Sequence, residues 1–482
     1  MDWYFYLLIA LGAALMALIA VVLIRTLRFR PLAVKPYSGA AVSFDKEKSI
    51  AAMQTLVRFK TVSDLDPAKE DEAEFQKLVD ALPALYPAVY EKATLTTFPG
   101  RALLFHIKGS ESGDPTVLMA HYDVVSVQED AWQKPPFCGD IIDGVLWGRG
   151  TLDTKVTFHG ALFATNTLLS EGFIPKNDLY LAFSGGEEVN GPGARNIVEH
   201  FKAAGIHPAL VLDEGGAVVE NFFPGVKRRC AMIGIAEKGM MNVRYTVSSG
   251  GGHASAPKPG SPLVRLSKAC LRLEKHPFPL HPNAAAMQMF DTVARESTFL
   301  FRMIFANLWL FKGLLNLICR MSGGELNALL RTTVAFTQSE GSAGANVLPA
   351  KATLVSNMRL NPLDNVDDAL AYLKKTVKDE KVDVSLMIGE NPSAISRTDV
   401  EGYARVATAV GETWEGTMIS PYLMVQCSDS RHWSKISDRV YRFSAMQLSK
   451  EERASIHGNN ECIPLETIDK AVEFYIRLIK NS

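Results

Sequence analysis

Short apolar runs and stretches with helical apolar spacing alternate along the first half of this 482-residue chain. Three of the runs are typical of buried strands, and each is followed directly by polar side chains. Strands that alternate with helices predict an α/β sheet with parallel strands, at whose carboxyl ends ligands bind. The predicted strands are 116–120, 179–183 and 209–212, and the predicted helices are 48–60, 70–85, 158–170 and 194–204.

After residue 237 the order of the predicted elements changes to β-α-β-β-α-β, which is that of a ferredoxin-like domain. We therefore predict that a smaller α+β domain, 238–390, is inserted into a larger domain formed by 44–237 and 391–482. The chain should end with a helix at 464–479. Within the insert, the predicted strands are 240–247, 331–338, 352–360 and 382–388, and the predicted helices are 261–274 and 364–376.

The N-terminus carries a long apolar segment. Residues 3–24 include no charged side chain, and about 20 apolar residues suffice to cross a bilayer as a helix. Aromatic residues cluster at one end and arginines follow at the other, so we predict a single transmembrane helix over 3–24 and a basic linker over 25–43. The positive-inside rule places the large C-terminal part in the cytoplasm. A cleaved signal peptide is the alternative, disfavoured by the acidic Asp2 and by the length of the run.

A second apolar segment, 299–321, lies inside the inserted domain and contains Arg302, Lys312 and Arg320. These charges argue against a second transmembrane span. A buried or interface helix would explain the composition, and so would an amphipathic element that lies on a membrane or lines an apolar substrate channel. The sequence leaves these two interpretations open.

Composition excludes some functions. Hydrophobic residues make up 47% of the chain and charged residues 21%, which at this length indicates a globular protein of at least two domains. The net charge of −1 gives no electrostatic reason to expect nucleic-acid binding. The six cysteines are scattered without a CxxC pair, so we expect reduced thiols rather than disulfides or a zinc knuckle.

Carboxylate and imidazole side chains follow the predicted strands, and Asp153 follows a Gly-Arg-Gly turn. A pair of zinc ions ~3.5–4 Å apart needs imidazole and carboxylate ligands, one carboxylate being shared by both ions. We predict that Asp153 is the shared ligand. The complete predicted ligand set is His121, Asp153, Glu188, Asp213 and His457.

Two further residues fit roles beside the metal ions. Asp123 comes two positions after His121 and would share a face with it on an extended segment, where it can orient the imidazole. Glu187 precedes Glu188, and in a turn it can point at a bridging water as a general base. Each of these residues, taken alone, is typical of a helix cap, a loop or a solvated surface. Only the joint pattern favours a catalytic site.

As a set, these motifs resemble the zinc-dependent aminoacylase / carboxypeptidase S family of co-catalytic metallopeptidases, in particular its Gly-Xaa carboxypeptidase and N-acyl-amino-acid hydrolase branch. The resemblance extends from residue 48 to the C-terminus. The matching stretches are HYDVV at 121–125, Trp132, PPF at 135–137, WGRGTLDTK at 147–155, Glu187-Glu188, DEGG at 213–216, GHASAP at 252–257, NVLP at 346–349, SDSR at 428–431 and HGNN at 457–460.

The resemblance implies how the ligands are shared between the metals. His121 and Asp213 would hold one zinc, Glu188 and His457 the other, and Asp153 would bridge them. It implies two Zn²⁺ per subunit, with Co²⁺ or Mn²⁺ as possible substitutes.

The resemblance also implies a zinc-exopeptidase-type catalytic domain whose inserted domain acts as a lid and forms a homodimer. Glu187 would be the base and Asp123 the residue that orients a ligand. His253 would reach the active site, often that of the neighbouring subunit, and stabilise the oxyanion. Arg359 and Asn346 would help to bind the carboxylate or carbonyl of the substrate.

Three positions depart from the family pattern. Gly186 stands where an acid usually precedes the Glu pair, Ser126 replaces a common proline, and Cys427 replaces a glycine. A glycine at that last position would permit close backbone approach to the substrate, so the cysteine changes the expected shape of the pocket. No departure removes a predicted metal ligand or the base.

The predicted function is hydrolysis of the amide bond of a small peptide or N-acyl amino acid with a free carboxylate, as by a carboxypeptidase or dipeptidase. One alternative is a deacylase, also able to work as a synthase, of long-chain N-acyl amino acids that enter from the membrane along 299–321. An alternative of another class is a catalytically silent, membrane-tethered binding protein on the same fold.

Overall fold

A computed structural model describes residues 3–32, 36–223 and 225–481, so residues 33–35 of the predicted linker lie outside the described residues. Every helix predicted from apolar spacing forms within a few residues of its expected bounds. The α-helices are α1 Trp3–Arg28, α2 Lys46–Arg58, α3 Glu72–Leu85, α4 Pro87–Lys92, α5 Lys155–Ser170, α6 Gly193–Ala203, α7 Pro262–Lys275, α8 Ala284–Val293, α9 Phe299–Ala306, α10 Leu308–Ser322, α11 Gly324–Leu330, α12 Val366–Val377, α13 Glu401–Thr413, α14 Ser430–Trp433, α15 Lys450–Ser455 and α16 Leu465–Lys480.

The predicted strands form as well, although the third continues beyond residue 212. The β-strands are β1 Thr94–Phe98, β2 Ala102–Ile107, β3 Thr116–His121, β4 Ile141–Ile142, β5 Val145–Trp147, β6 Leu179–Ser184, β7 Leu210–Val219, β8 Cys230–Glu237, β9 Gly239–Ser248, β10 Gly252–His253, β11 Thr333–Glu340, β12 Val347–Leu348, β13 Lys351–Leu360, β14 Asp383–Glu390, β15 Met418–Met424, β16 Val440–Leu448 and β17 Cys462–Pro464.

The larger domain is built on an eight-stranded sheet in the order β1-β2-β6-β3-β7-β16-β8-β15. The sheet is mixed: β3 runs parallel to β6 and β7, whereas β2 is antiparallel to β6, and β8 is antiparallel to β7. Side chains alternate across β3, so that Val117 and Met119 pack on one face and Leu118 and Ala120 on the other. Both faces are therefore buried, which explains why the strand is a continuous apolar run.

Helices cover both faces of this sheet. On one face α5 and α16 pack against each other and against β3 and β16, and on the other α6 and α14 lie over β2, β6 and β7. The C-terminal helix α16 buries Ile468, Val472, Tyr475 and Ile479, which recur at helical spacing and therefore line one face. These helices hold the strand ends in fixed positions.

The smaller domain has the predicted ferredoxin-like arrangement. Its antiparallel sheet has the order β11-β13-β9-β14, and α7 and α12 pack on one face. Along β9, the residues Met241, Val243, Tyr245 and Val247 are buried in that core while their neighbours are more exposed. Lys238 alone separates β8 of the large sheet from β9 of this one.

A helical excursion, 284–330, interrupts the smaller domain and was not predicted as a unit. Its buried residues belong to the hydrophobic core of the larger domain, where α8 packs against β15. The apolar segment 299–321 is two helices rather than one, because α9 and α10 meet at Asn307 with a bend of 119°. The excursion thus links the two domains.

The N-terminal helix α1 is long and apolar enough to cross a membrane, and 6% of its most apolar window is buried. Such a helix is also typical of a signal sequence. Its contact with the rest of the chain lies at its C-terminal end, where Val22 and Thr26 are buried and Arg25 Nε donates to Ala306 O at 3.1 Å.

Candidate metal centre

The central strands bring the predicted chemical groups together at one sheet edge. His121 is the last residue of β3, which lies between β6 and β7 and runs parallel to both. Glu187 and Glu188 follow the end of β6, and Glu214 lies in β7, which pairs with β3. The carboxyl ends of parallel strands lie at the same edge of a sheet. The parallel arrangement predicted from alternating strands and helices therefore explains why these side chains lie close together.

Asp213 and Glu214 point in opposite directions. Glu214 Oε1 lies 3.3 Å from Nε2 of His121. Asp213 instead accepts a hydrogen bond from the backbone N–H of Ser430 at 2.9 Å. Successive side chains of a strand alternate between its faces, and β7 continues through both residues instead of ending before them. The structure therefore brings Glu214 into the cluster in place of the predicted Asp213.

The carboxylate of Asp153 lies between two imidazoles. Its Oδ1 is 3.1 Å from Nε2 of His121 and its Oδ2 is 3.0 Å from Nε2 of His457. His457 Nε2 is also 3.0 Å from Glu188 Oε1. Two overlapping groups have ligand atoms within 4.8 Å of one another: His121, Asp153 and Glu188, and His121, Glu187 and Glu214.

The position of Asp153 is fixed by Glu461, a fully buried residue that the sequence analysis missed. One oxygen of Glu461 accepts from the backbone N–H of Leu152 at 2.7 Å and of Asp153 at 3.2 Å. The other accepts from Gly150 N at 3.0 Å and from Arg149 Nη1 at 2.6 Å. The carboxylate of Glu461 therefore organises the tight turn that precedes Asp153.

Asp123 connects the histidine and the Glu pair. Nδ1 of His121 lies 3.0 Å from the backbone carbonyl oxygen of Asp123 and 3.4 Å from its carboxylate. That carboxylate also accepts from the backbone N–H of Glu187 at 3.1 Å, from that of Glu188 at 3.2 Å and from the hydroxyl of Ser63 at 2.7 Å. One buried side chain thus orients an imidazole and the turn that carries two carboxylates.

The donor set fits divalent cations. A carbonyl oxygen can only accept, so Nδ1 of His121 carries a proton. The nearby carboxylates Glu214, Asp123 and Asp153 raise the pKa of His121 well above its ordinary value although burial opposes this, so without a metal Nε2 carries a second proton. In the neutral imidazole that binds metals, the lone pair of Nε2 would face carboxylate oxygens at 3.1 and 3.3 Å and be repelled by them. A cation between these atoms converts the repulsion into coordination, and imidazole with carboxylate is the ligand combination typical of zinc.

The electrostatics of the cluster agree with this fit. Burial raises the pKa of Glu214 to about 8, and burial likewise raises the pKa of Glu187 and of Glu188 above its ordinary value. Hydrogen bonds to two carboxylates raise the pKa of His457 to about 10. Several buried carboxylates are costly to ionise together unless positive charge is added, which bound divalent ions would supply.

A cavity of about 650 Å³ begins at this cluster and extends away from it between β7, β15 and α11. Asp153, Glu187, Glu188, Glu214 and His457 form its polar end. The remaining wall is largely apolar and includes Ala217, Val219, Phe222, Met232, Tyr422, Met424, Met446, Leu448 and Ile456.

The three residues predicted to contact substrate lie apart from the ligand cluster. His253 and Asn346 are exposed neighbours on a two-stranded ribbon of the smaller domain, in which Ala254 N donates to Asn346 O at 3.0 Å. Arg359 lies at the other end of that domain, and its Nη1 is 3.1 Å from Sγ of Cys427, which lines the cavity.

Other residues near the site had no role in the sequence analysis. Asp429 accepts from the Ser184 hydroxyl at 2.6 Å, and its second carboxylate oxygen is buried without a hydrogen-bond partner among the described residues. Asp429 belongs to a motif whose match was noted, whereas Glu461 follows the HGNN motif without any pattern of its own. Their roles depend on contacts between distant parts of the chain.

Comparison with protein families supports the geometric evidence. A sequence model of Peptidase family M20/M25/M40 matches residues 117–481. The N-fatty-acyl-amino acid synthase/hydrolase of Xenopus tropicalis is 33% identical over 99% of this chain and 95% of its own length. The probable carboxypeptidase S-like 2 of Dictyostelium discoideum is 32% identical over 91% of this chain and 86% of its own length.

Solved structures share the fold. An M20 family metallo-carboxypeptidase from Sulfolobus solfataricus aligns with a TM-score of 0.66 and 17% identity over 90% of this chain and 98% of that one. Human carnosine dipeptidase 1 aligns with a TM-score of 0.65 and 13% identity over 90% of this chain and 96% of that one. At such identities the likeness extends to the fold alone.

Proposed function

Since the chain belongs to Peptidase family M20/M25/M40, whose members are metal-dependent hydrolases, we propose that it hydrolyses the amide bond of N-acyl amino acids with long acyl chains. The observation that carries this choice is the apolar cavity that begins at the metal centre. The relatives named N-fatty-acyl-amino acid synthase/hydrolase act, by their names, on the same class of compound.

In this proposal the site holds two zinc ions. His121 and Glu214 would hold one ion, His457 and Glu188 would hold the other, and Asp153 would be shared by both. The assignment follows the distances of 3.0–3.3 Å around the two imidazoles and replaces Asp213 by Glu214. When bound, zinc supplies Lewis acidity and lowers the pKa of a water molecule, for which ~7 is attainable.

Glu187 is the general base of the proposed reaction. It lines the cavity, a carboxylate oxygen lies within 4.8 Å of ligand atoms of His121 and Glu214, and burial raises the pKa of its carboxyl group well above the ordinary value. A raised pKa strengthens its carboxylate as a proton acceptor. Glu187 takes a proton from the attacking water as the new C–O bond forms. It then delivers that proton to the amide nitrogen as the C–N bond breaks, which releases a fatty acid and an amino acid.

The cavity accommodates the acyl chain. Its volume of about 650 Å³ lies within the range of ~300–1,000 Å³ that is usual for small-molecule sites. Each methylene that moves from water into an apolar environment contributes about 0.8 kcal/mol. A long chain should therefore bind more tightly than a short one until the cavity is filled.

The smaller domain would contribute to binding of the substrate head group. His253 Nδ1 accepts from Ser255 N at 3.1 Å, so the proton is on Nε2, which can donate to a developing oxyanion. Arg359 beside Cys427 is suitably charged for a substrate carboxylate, and exposed Asn346 lies beside His253. In this proposal His253 acts on the metal centre of the other subunit of a homodimer.

A substrate panel tests the proposed specificity. Hydrolysis of N-oleoyl-phenylalanine, N-acetyl-phenylalanine and Gly-Leu is compared on the full chain in detergent with zinc. The proposal expects kcat/KM to be highest for the oleoyl compound by at least an order of magnitude. Comparable or faster cleavage of Gly-Leu would overturn it.

The second candidate function is that of a dipeptidase or carboxypeptidase with the same catalytic residues. It is favoured by the relative of Dictyostelium named probable carboxypeptidase S-like 2. A silent binding protein is disfavoured, because two imidazoles lie close to a cluster of buried carboxylates.

The proposed location is a membrane. Helix α1 is apolar and almost wholly exposed, so it would span a bilayer once, with the catalytic part on the cytoplasmic side by the positive-inside rule. The alternative of a signal sequence predicts a shorter mature chain. Mass spectrometry of the N-terminus of the protein isolated from cells distinguishes the two.

A further inference from the structure

Helix α10 presents an apolar face that the described part of the chain leaves exposed. Leu310, Leu314, Leu317 and Met321 are 41–80% exposed and recur at i, i+4, i+7 and i+11, so they lie on one face, here called the α10 stripe. Trp309, at the start of the helix, is 58% exposed. The opposite face packs on the larger domain through Leu315 and Cys319. A continuous exposed apolar face of this kind marks an interaction surface.

This surface begins where α1 contacts the rest of the protein. Asn307, at the break between α9 and α10, donates through Nδ2 to Val22 O and to Thr26 Oγ1, each at 3.2 Å. Residues 3–21 of α1 rise about 28 Å at ~1.5 Å per residue, close to the ~30 Å of a bilayer core. A bilayer spanned by that part of α1 would have its surface beside Asn307 and Trp309.

Charge at this end of the molecule suits a lipid surface. Arg25, Arg28 and Arg30 lie in or just after the last turns of α1, and Arg320 accompanies the α10 stripe. Arginine and lysine side chains near an apolar surface extend their charged ends to the phosphate groups of lipids. An anionic bilayer therefore complements both the apolar stripe and its charged border.

The same helices lead to the cavity. Helix α11 follows α10 directly, and its residues Gly324, Glu325 and Ala328 line the cavity. Lys238, the residue between the two sheets, donates from Nζ to Ala328 O at 2.7 Å and to Arg331 O at 2.8 Å. The helix that forms one wall of the cavity thus follows α10 after a single residue.

We propose that the α10 stripe is embedded in the lipid bilayer beside α1, and that a lipid-borne acyl substrate reaches the cavity past α11. The occupant of the stripe is the acyl-chain region of one leaflet. The first half of the proposal rests on the proposed membrane location of α1, and the second half rests on the proposed hydrolase function as well.

Fluorescence quenching tests the first half. The full chain carrying Trp3→Phe is reconstituted into vesicles of phosphatidylcholine and phosphatidylglycerol, with or without brominated acyl chains. The matched control carries Trp3→Phe and Trp309→Phe, so the difference isolates Trp309. Embedding predicts that brominated chains quench Trp309 and aqueous iodide does not. Quenching by iodide alone would place the stripe in water, and quenching by neither would mean a protein cover; both overturn the proposal.

Paired substrates test the second half. Leu314→Asp with Leu317→Asp should lower hydrolysis of vesicle-borne N-oleoyl-phenylalanine about 10-fold or more, as expected when two charges are forced into the interface. A micelle-free, short-chain N-butanoyl substrate should be cleaved as before. Leu271→Asp, on an exposed position of α7, is the matched control. If the double variant cleaved each substrate at the same rate as the unaltered chain, entry of the substrate from the bilayer would be overturned.

The outcomes remain separable from those of the proposed function. Failure of the unaltered chain to cleave either N-acyl compound would reject that function, while the Trp309 measurement would still decide the position of the stripe. If the double variant lost activity on both substrates, the single variant Leu317→Ser is measured instead. An equal loss of activity on both substrates rejects the entry route. A loss confined to the oleoyl compound supports it.

Discussion

Glu214 Oε1 lies 3.3 Å from Nε2 of His121, at the edge of the sheet where three parallel strands meet. The residue before it, Asp213, is turned to the backbone of Ser430. The two adjacent carboxylates therefore have different roles: Glu214 is a candidate metal ligand, and Asp213 supports the segment that contains Ser430.

The two carboxylates should therefore differ in metal binding. In the proposed assignment Glu214→Ala removes a ligand of one of two zinc ions, so we expect the purified variant to retain about one zinc. Asp213→Asn keeps the size of a side chain that faces away from the imidazoles and should retain both. Inductively coupled plasma mass spectrometry gives the zinc content. Loss of zinc in the Asp213 variant with full content in the Glu214 variant would restore the original assignment.

Asp123 is expected to influence metal affinity without touching the metal. Asp123→Ala removes the carboxylate that holds the Glu187 and Glu188 backbone and lies beside the imidazole, and loss of such a partner typically costs ~10–100-fold in affinity or activity. Competition with a chromogenic chelator measures the affinity. Ser63→Ala, which removes one hydrogen bond to the same carboxylate, is the milder control. An unchanged zinc affinity in the Asp123 variant would contradict this role.

The shape of the cavity should govern chain length. Ala217 is 6% exposed and lines the cavity, so Ala217→Phe fills part of the space for the acyl chain. We expect a fall of about 10-fold in kcat/KM for the oleoyl substrate, equivalent to ~1.4 kcal/mol, with little change for the acetyl substrate. Steady-state assays on both compounds provide the comparison. An equal loss on both would point to a general disturbance of the fold.

His159 should shape the acid stability of the larger domain. It is fully buried between the hydroxyls of Ser49 and Tyr86, and burial lowers its pKa to about 3. Between pH 3 and about 6.5 the unfolded chain binds a proton there that the native chain does not, so the free energy of unfolding rises with pH by up to ~1.4 kcal/mol per unit. The contribution is complete above pH 6.5 and is lost on acidification.

Urea unfolding of the full chain at pH 4.5, 5.5 and 6.5 measures this slope. His159→Gln should lower the change of unfolding free energy per pH unit by up to ~1.4 kcal/mol, the value for one proton. His276→Gln, at an exposed position of the smaller domain, should leave this slope close to that of the unaltered chain. An unaltered slope in the His159 variant would show that this histidine is protonated in the native state.

The spacing of apolar residues predicted the helices and strands well, because the apolar faces that this spacing reveals are the faces that pack in the core. It also predicted that His121 and the Glu pair meet, because parallel strands end at one edge. It did not distinguish Asp213 from Glu214, since that depends on where β7 ends and a shift of one residue reverses the side chains. The contacts of Glu461 with the Asp153 turn span some 300 residues of sequence, and local patterns carry no information on such pairs.

The break between α9 and α10 likewise depends on tertiary contacts. Asn307 is buried and its side chain donates a hydrogen bond to α1. The segment 299–321 therefore turns at a residue whose partner, Val22, lies near the N-terminus. Neither a proline nor a glycine marks that position. For this segment the sequence left open a buried or interface helix and an amphipathic element, and its local pattern did not indicate the break at Asn307.

The central claim is that Glu187 acts as the base of a metal-dependent amide hydrolysis. Its most direct test is Glu187→Gln, which keeps the shape of the side chain and removes its capacity to accept a proton. N-oleoyl-phenylalanine hydrolysis and zinc content are measured on the same preparation. We predict two zinc ions per chain, as in the unaltered protein, and a loss of ~10²–10⁴-fold in kcat. Near-normal turnover with both ions bound would contradict the account.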